Sequence, residues 1–186
     1  MKKVLFLMTL CLALSCIQAQ NPAPLQGVEI SFTYNRQGSF ASNQFAVWIE
    51  DGGGNYIKTL FATRYTASGG WERRPLSIPI WVKKSGLSAM RKTEIDAFSG
   101  ATPRTGVLRY RWDGTDKNGK AAAGEYRIFL EATLRNENGV LYSAPVNIGG
   151  GGAAGGNVEA TVKTEYSGNS DKERGMIENV KVFYRP

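Results

Sequence analysis

The chain has 186 residues, a formal net charge of +7, two cysteines and no histidine. That length suits one domain of ordinary size, and the missing imidazole excludes Ser-His-Asp and Cys-His nucleophile systems and His-ligated zinc or haem. The basic residues are scattered (Arg64, Arg73, Arg74, Lys83, Lys84, Arg91, Lys92, Arg109, Arg111), and no basic run interleaves with aromatics, so the charge reads as a solvated surface and excludes a nucleic-acid groove.

Residues 1–19 read as a signal peptide. Lys2 and Lys3 supply its positive start, Val4 to Leu14 an apolar stretch too short to cross a bilayer, and Ile17-Gln18-Ala19 a cleavage site before Gln20. Residues 20–186 are then expected to form a single domain exported to the periplasm or cell envelope. Cys11 and Cys16 both fall in the leader, so no disulfide is expected after cleavage and the fold must rest on its core. The alternative is a lipid anchor on Cys16, because Ala13-Leu14-Ser15-Cys16 loosely resembles a lipobox. Ala13 and Leu14 depart from it, and membrane association is expected only on that route.

After the leader the periodicity is that of strands. Val28, Ile30, Phe32 and Tyr34 alternate with polar residues, and Phe45, Val47 and Ile49 repeat the pattern after a Gly/Asn/Ser turn over 35–42. Asp51-Gly-Gly-Gly-Asn55 closes a hairpin into a strand from Tyr56 to Thr63. Pro75 and Pro79 bracket Leu76, Ile78, Ile80 and Trp81, which predicts an edge strand or an extended crossing segment, because proline cannot donate to a central ladder. Leu87, Met90, Ile95 and Phe98 predict a short helix within Ser85 to Phe98, capped by Ser85 or Ser88. Strands are expected over Val107 to Trp112, Gly124 to Leu134, Leu141 to Ile148, Val158 to Tyr166 and Met176 to Tyr184. Asn138-Gly139 is expected as a turn and the glycine-rich 149–156 as a flexible surface loop. Seven or eight short strands with such turns predict an all-β fold, an immunoglobulin-like antiparallel β-sandwich with one insertion (about 71–105) containing the short helix.

Two motifs stand out. Trp112-Asp113-Gly114-Thr115-Asp116-Lys117-Asn118-Gly119, followed by Gly124-Glu125-Tyr126, resembles the hairpin of the immunoglobulin-like module in flagellar hook-capping proteins. The resemblance implies a Trp packed in the core and Asp and Gly shaping the turn. A calcium reading of Asp113, Asp116 and Asn118 does not match the EF-hand spacing. The second motif, Asp96-Ala97-Phe98-Ser99-Gly100-Ala101-Thr102, resembles the pattern that exported flavin transferases recognise when they join FMN, through its phosphate, to a threonine. The resemblance implies Thr102 as the acceptor hydroxyl, with Asp96, Ser99, Gly100 and Ala101 completing the cofactor-binding site. Arg104 departs from it, since a hydroxyl residue is usual there, and Pro103 holds Thr102 extended. The competing reading is plain: Ser99-Gly100 ends the helix and Thr102-Pro103 begins the next turn.

Through Ile78 to Trp81, Asp96 to Thr102, Tyr110 to Gly119 and Gly124 to Thr133 the chain also resembles a family of predicted periplasmic proteins of unknown function. These are often encoded beside flavin transferases and PepSY-type membrane redox proteins. The resemblance implies an envelope electron-transfer setting, with a flavin transferase and a membrane redox protein as partners. Trp48 and Trp112 are expected in the core, whereas Trp71 and Trp81, flanking the insertion, are candidates for covering an isoalloxazine ring. The rival to a covalently held FMN is a cofactor-free binding or structural module. An enzyme is the weakest reading, because no spacing brings Glu72, Glu94, Asp96 and Asp113 together as paired carboxylates.

Overall fold

A computed structural model describes residues 27–38, 42–120, 123–135, 138–148, 158–167 and 175–185. The expected signal peptide and Cys16 anchor, the tip of the 35–42 turn and the 149–156 loop lie outside the described residues. The strands are β1 (Gly27–Tyr34), β2 (Gln44–Asp51), β3 (Tyr56–Thr63), β4 (Ser99–Gly100), β5 (Gly106–Trp112), β6 (Gly124–Arg135), β7 (Asn138–Ile148), β8 (Val158–Ala160), β9 (Lys163–Ser167) and β10 (Ile177–Arg185). They form a four-stranded sheet in the order β5-β1-β10-β8 and a six-stranded sheet in the order β4-β3-β2-β6-β7-β9. Every pairing is antiparallel except β3 with β4.

The sandwich core follows from the alternation. Val28, Ile30, Phe32 and Tyr34 of β1 face Phe45, Val47 and Ile49 of β2 and Ile128, Leu130, Ala132 and Leu134 of β6, and Trp112 joins them. The Asp51 turn is fixed by that residue's Oδ1, which accepts the Gly53 and Asn55 N–H groups at 2.9 and 2.8 Å. The turn expected at Asn138-Gly139 is corrected: Asn138 already pairs with Arg135, and both expected turn residues belong to β7. The single strand expected over Val158 to Tyr166 is two. β8 pairs with β10 and β9 with β7, so the chain changes sheet between Ala160 and Lys163.

The insertion builds a third layer on the outward face of the six-stranded sheet. It holds a π-turn (Thr66–Gly70), α1 (Trp71–Arg73), α2 (Pro79–Ser85), a 3-10 turn (Leu87–Ala89) and α3 (Lys92–Phe98). The edge strand expected around Pro75 to Trp81 is therefore corrected to a helix start, since Pro79 occupies the first turn of α2, where a missing N–H costs nothing. Between this layer and the sheet lies a second core of Ala46, Trp48, Ala62, Ala67, Ile78, Trp81 and Leu87. From Gln44 to Glu50 β2 is buried at every residue because both of its faces are covered. Trp48 is thus in a core, but the outer one, stacked on Phe129 at 5.0 Å.

Buried polar groups tie the layer down. Gln44 Oε1 accepts the Thr63 and Thr66 hydroxyls at 2.6 and 3.0 Å, and Thr66 Oγ1 meets Ser77 Oγ at 2.7 Å. Ile78, at φ 44° and ψ 57°, holds a left-handed conformation that a β-branched residue rarely adopts. Its N–H donates to Thr133 Oγ1 at 3.2 Å. The next two amides go to one carboxylate: Ile80 and Trp81 N–H donate to Glu131 at 3.2 and 2.8 Å. Burial pushes the Glu131 carboxyl up to about 7, against the opposing pull of those two amides.

No cation pairs with Glu131 among the described residues. A carboxyl whose folded value lies above its unfolded one stabilises fully below about pH 4.5, and that stability is lost as pH rises through 7. The chain has no histidine to mask the effect. Urea denaturation between pH 5 and 8 is expected to show stability falling by about 3 kcal/mol. Glu131→Gln should lie below the parent at pH 5, because its amide group leaves one of the two α2 N–H donors without an acceptor, and should lack the decline; an equal slope in both proteins refutes the assignment.

Candidate functional site

The Asp96 to Thr102 run begins on α3. Glu94 starts that helix, its carboxylate accepting the Arg91 N–H and Nε–H at 2.9 and 3.1 Å, so the N-cap is Arg91 and not the expected Ser85 or Ser88. Asp96 lies exposed on α3. Phe98 ends it, with its ring edge-to-face on Trp81 at 5.9 Å and 84°. The helix stops because Ser99 turns extended (φ −89°, ψ 137°), although its N–H still reaches Ile95.

Ser99 and Gly100 then leave the helix as β4, pairing in parallel with Ala62 and Thr63. Ser99 is buried and its Oγ has no hydrogen-bond partner. Gly100 lies so close to Phe61 that a Cβ would fall 2.6 Å from Cε2 of that ring, which is why glycine stands there. Residues 101–105 cross from the six-stranded to the four-stranded sheet, where Gly106 pairs with Tyr34. The Arg36 N–H donates to Thr105 Oγ1 at 3.0 Å near the far end of the crossing. Within it Ala101 is exposed and Thr102 half-buried. The Thr102 hydroxyl makes no hydrogen bond among the described residues.

Beneath this crossing runs a stack of aromatic rings. Phe61 packs on Tyr110 at 5.0 Å and on Phe45 at 5.1 Å, and Phe45 meets Tyr34 at 5.3 Å. Burial pushes the Tyr34 phenol up to about 12 and raises that of Tyr110 as well, so both stay neutral at ordinary pH.

A cleft of about 320 Å³ opens beside the run, between the β3–α3 side and the β1–β5 edge. Its walls include Leu60, Ala97, Phe98, Arg111 and Arg185. Arg111 is committed to Glu29 at 2.8 Å, and Lys58, also at the rim, to Asp113 at 3.8 Å. Arg185 differs: its Nε is buried without a hydrogen-bond partner. A larger cavity of about 570 Å³ at the β2–β3 hairpin shares no residue with the Asp96 to Thr102 run.

The tryptophans expected to cover a ring do not line this cleft. Trp81 is wholly buried, its indole N–H donating to Thr59 Oγ1 at 2.9 Å, and Trp71 lines a separate cavity of about 260 Å³ inside the insertion. In the other motif Trp112 packs in the sandwich core as expected, edge-on to Tyr126 at 4.8 Å. The Asp113 carboxylate accepts the Thr115 hydroxyl and N–H, and the Asp116 carboxylate the Lys120 and Asn118 N–H groups, which holds both below the usual carboxylate range. Glu94 is likewise engaged as a helix cap.

The family described as "Predicted periplasmic protein (DUF2271)" matches residues 27–167, from β1 through β9 with the whole Asp96 to Thr102 run inside. The chain belongs to that family. It is a periplasmic protein of the cell envelope, as the leader led us to expect. Neither the curated proteins nor the solved structures contain a match.

The cleft cations escape sequence reasoning, because Arg111 and Arg185 are far apart in the chain and meet only through the pairing of β1 with both β5 and β10. Their one signal is alternation: both occupy outward-facing positions of strands whose other face is apolar. The packing at Gly100 gives a direct check. Gly100→Ala should lower stability by about 1–3 kcal/mol through overpacking against Phe61, and adding Phe61→Leu should restore part of it. Urea curves for the three proteins measure both effects; an unchanged midpoint in Gly100→Ala would show that the ring yields freely.

Proposed function

We propose that this periplasmic protein is a flavin carrier, with FMN esterified through its phosphate to Thr102 Oγ. The observation that carries the reading is a half-buried threonine hydroxyl without a hydrogen bond, on the crossing that the Asp96 to Thr102 run forms. The residues present fit the group. A phosphoester needs only a hydroxyl that a transferase can reach, and Ala101 beside it is exposed. Exposed Arg104 stands two residues on, where a cation favours the phosphodiester anion.

The attachment balances simply. Thr102 Oγ bonds to the flavin-side phosphorus of a flavin dinucleotide while the pyrophosphate P–O bond breaks. A nucleoside monophosphate leaves, the hydroxyl proton passes to a base of the transferase or to water, and nothing is oxidised. When bound, the flavin supplies electron transfer, and the chain supplies placement. Asp96, exposed on α3, and Ala101, exposed beside the acceptor, are the recognition surface offered to the flavin transferase. Ser99 and Gly100 hold the crossing to β3. The electron partner on this reading is a membrane redox protein of the envelope.

Co-expression with a flavin transferase tests the reading. Intact mass is expected to rise by one FMN less water, and Thr102→Ala should abolish the gain. An unmodified, colourless parent favours the cofactor-free envelope module, and a gain that survives Thr102→Ala removes Thr102 from the mechanism.

A further inference from the structure

We propose that the cleft between the β3–α3 side and the β1–β5 edge seats the isoalloxazine ring of that flavin, with Phe98 as its wall and Arg185 as its polar anchor. The inference rests on the flavin reading above and adds where the redox ring lies.

Four observations converge on the cleft. Ala97 and Phe98 belong both to its wall and to the Asp96 to Thr102 run, so the acceptor and the cleft are built from one stretch of chain. At about 320 Å³ the cleft falls in the range of small-ligand sites. Phe98 is held from behind by Trp81 and has a partly exposed surface of its own, which gives a rigid aromatic wall. Arg185 Nε is a buried donor with no acceptor, a costly arrangement that asks for one. The pyrimidine edge of a flavin carries two carbonyl oxygens and ring nitrogens that supply it.

Arg185 is also the cation of the cleft left without an acid. Arg111 faces Glu29 and Lys58 faces Asp113, whereas Arg185 has no ion pair among the described residues. Its charge is free to favour the electron-rich state of a ring beside it.

The reach to the apolar wall is consistent, and Arg185, opposite Gly27 at the end of β1 away from the crossing, is left for the far edge of the ring. Gly100 pairs with Thr63, and Leu60 of the cleft wall lies three residues back along β3, about 10 Å at the rise of a strand. The four residues from Phe98 to Thr102 extend to at most about 14 Å. FMN joined at its phosphate has a five-carbon arm with which to fold back over that distance.

The experiment separates the ring from its attachment. In protein carrying Thr102→Val, which cannot be modified, lumiflavin (the ring without ribityl phosphate) is titrated by fluorescence quenching. Saturable binding is expected. Arg185→Gln and Phe98→Ala should each weaken it about tenfold, the equivalent of one lost hydrogen bond or ring contact. Arg185→Lys should recover part of the loss, and the Arg185 variants cover the case in which Phe98→Ala fails to fold. In flavinylated parent protein, iodide should quench the attached flavin less than free FMN.

Absent lumiflavin binding, or binding unmoved by both Arg185→Gln and Phe98→Ala, overturns the cleft. A modified Thr102 whose flavin is as open to iodide as free FMN overturns the cleft and leaves the attachment standing. An unmodified Thr102 in a protein that binds lumiflavin overturns the attachment and leaves the cleft.

Discussion

Trp81 couples the sandwich to the helical layer and, through it, to the candidate site. Its backbone N–H donates to Glu131 on β6, its indole N–H donates to Thr59 on β3, and its ring takes the edge of Phe98. A backbone hydrogen bond, an indole hydrogen bond and a ring contact on one fully buried residue leave it a single orientation. Phe98 is the last residue of α3 and the next residue enters β4, so the Trp81 contact sets where the Asp96 to Thr102 run leaves the helix. Truncation here would open a cavity of the kind that costs about 3–5 kcal/mol, and would also release the wall of the cleft.

The outward face of the six-stranded sheet explains why polar residues there are buried. Glu50, Thr59, Glu131 and Thr133 lie on strands that would normally show their polar side to water, and the insertion takes that water away. Each then needs a partner, since an unmet buried polar group costs about 1–3 kcal/mol. Glu50 finds the Trp48 indole N–H and the Lys84 ammonium at 2.9 Å each, and Glu131 finds the first amides of α2. The same groups that look like a solvent face therefore fix the register of the third layer.

This accounts for what could be read in the sequence. The alternation in β1, the Asp51 hairpin and the Trp112 turn were legible because each obeys a local rule: period two, a carboxylate taking turn amides, a ring at a strand end. The helix before Phe98 was legible from its apolar spacing, but its cap was not, because arginine is no capping residue and Glu94 does the work from the third position. Pro79 misled, since a proline excluded from central strands is equally at home at the start of a helix, and Ile78 adopts a left-handed backbone that no local rule assigns to isoleucine. Glu131 was illegible for a different reason. In Ile128-Phe129-Leu130-Glu131-Ala132 it stands on the polar phase of a strand, and only a layer contributed by residues some fifty positions away buries it. The Asp96 to Thr102 run was visible, but the cleft beside it needed the long-range pairing of β1 with β5 and β10.

The place of Thr102 follows from closing the sandwich. β4 pairs over two residues, too few to hold an edge on their own. It is fixed instead by Gly100 resting on Phe61, by the last turn of α3 through the Ser99 to Ile95 bond, and by Phe98 on Trp81. The other end is fixed at Gly106, opposite Tyr34 of β1. Packed sheets lie about 10 Å apart, and the five residues between these anchors can extend to about 17 Å. The crossing therefore has slack, and slack between two firm ends leaves Thr102 half-buried without loosening either sheet. A shorter connection would be drawn tight across the gap, and a longer one would need contacts of its own. Five residues, pinned by a glycine at the start and a strand at the finish, carry Thr102 half-buried between the two sheets it joins.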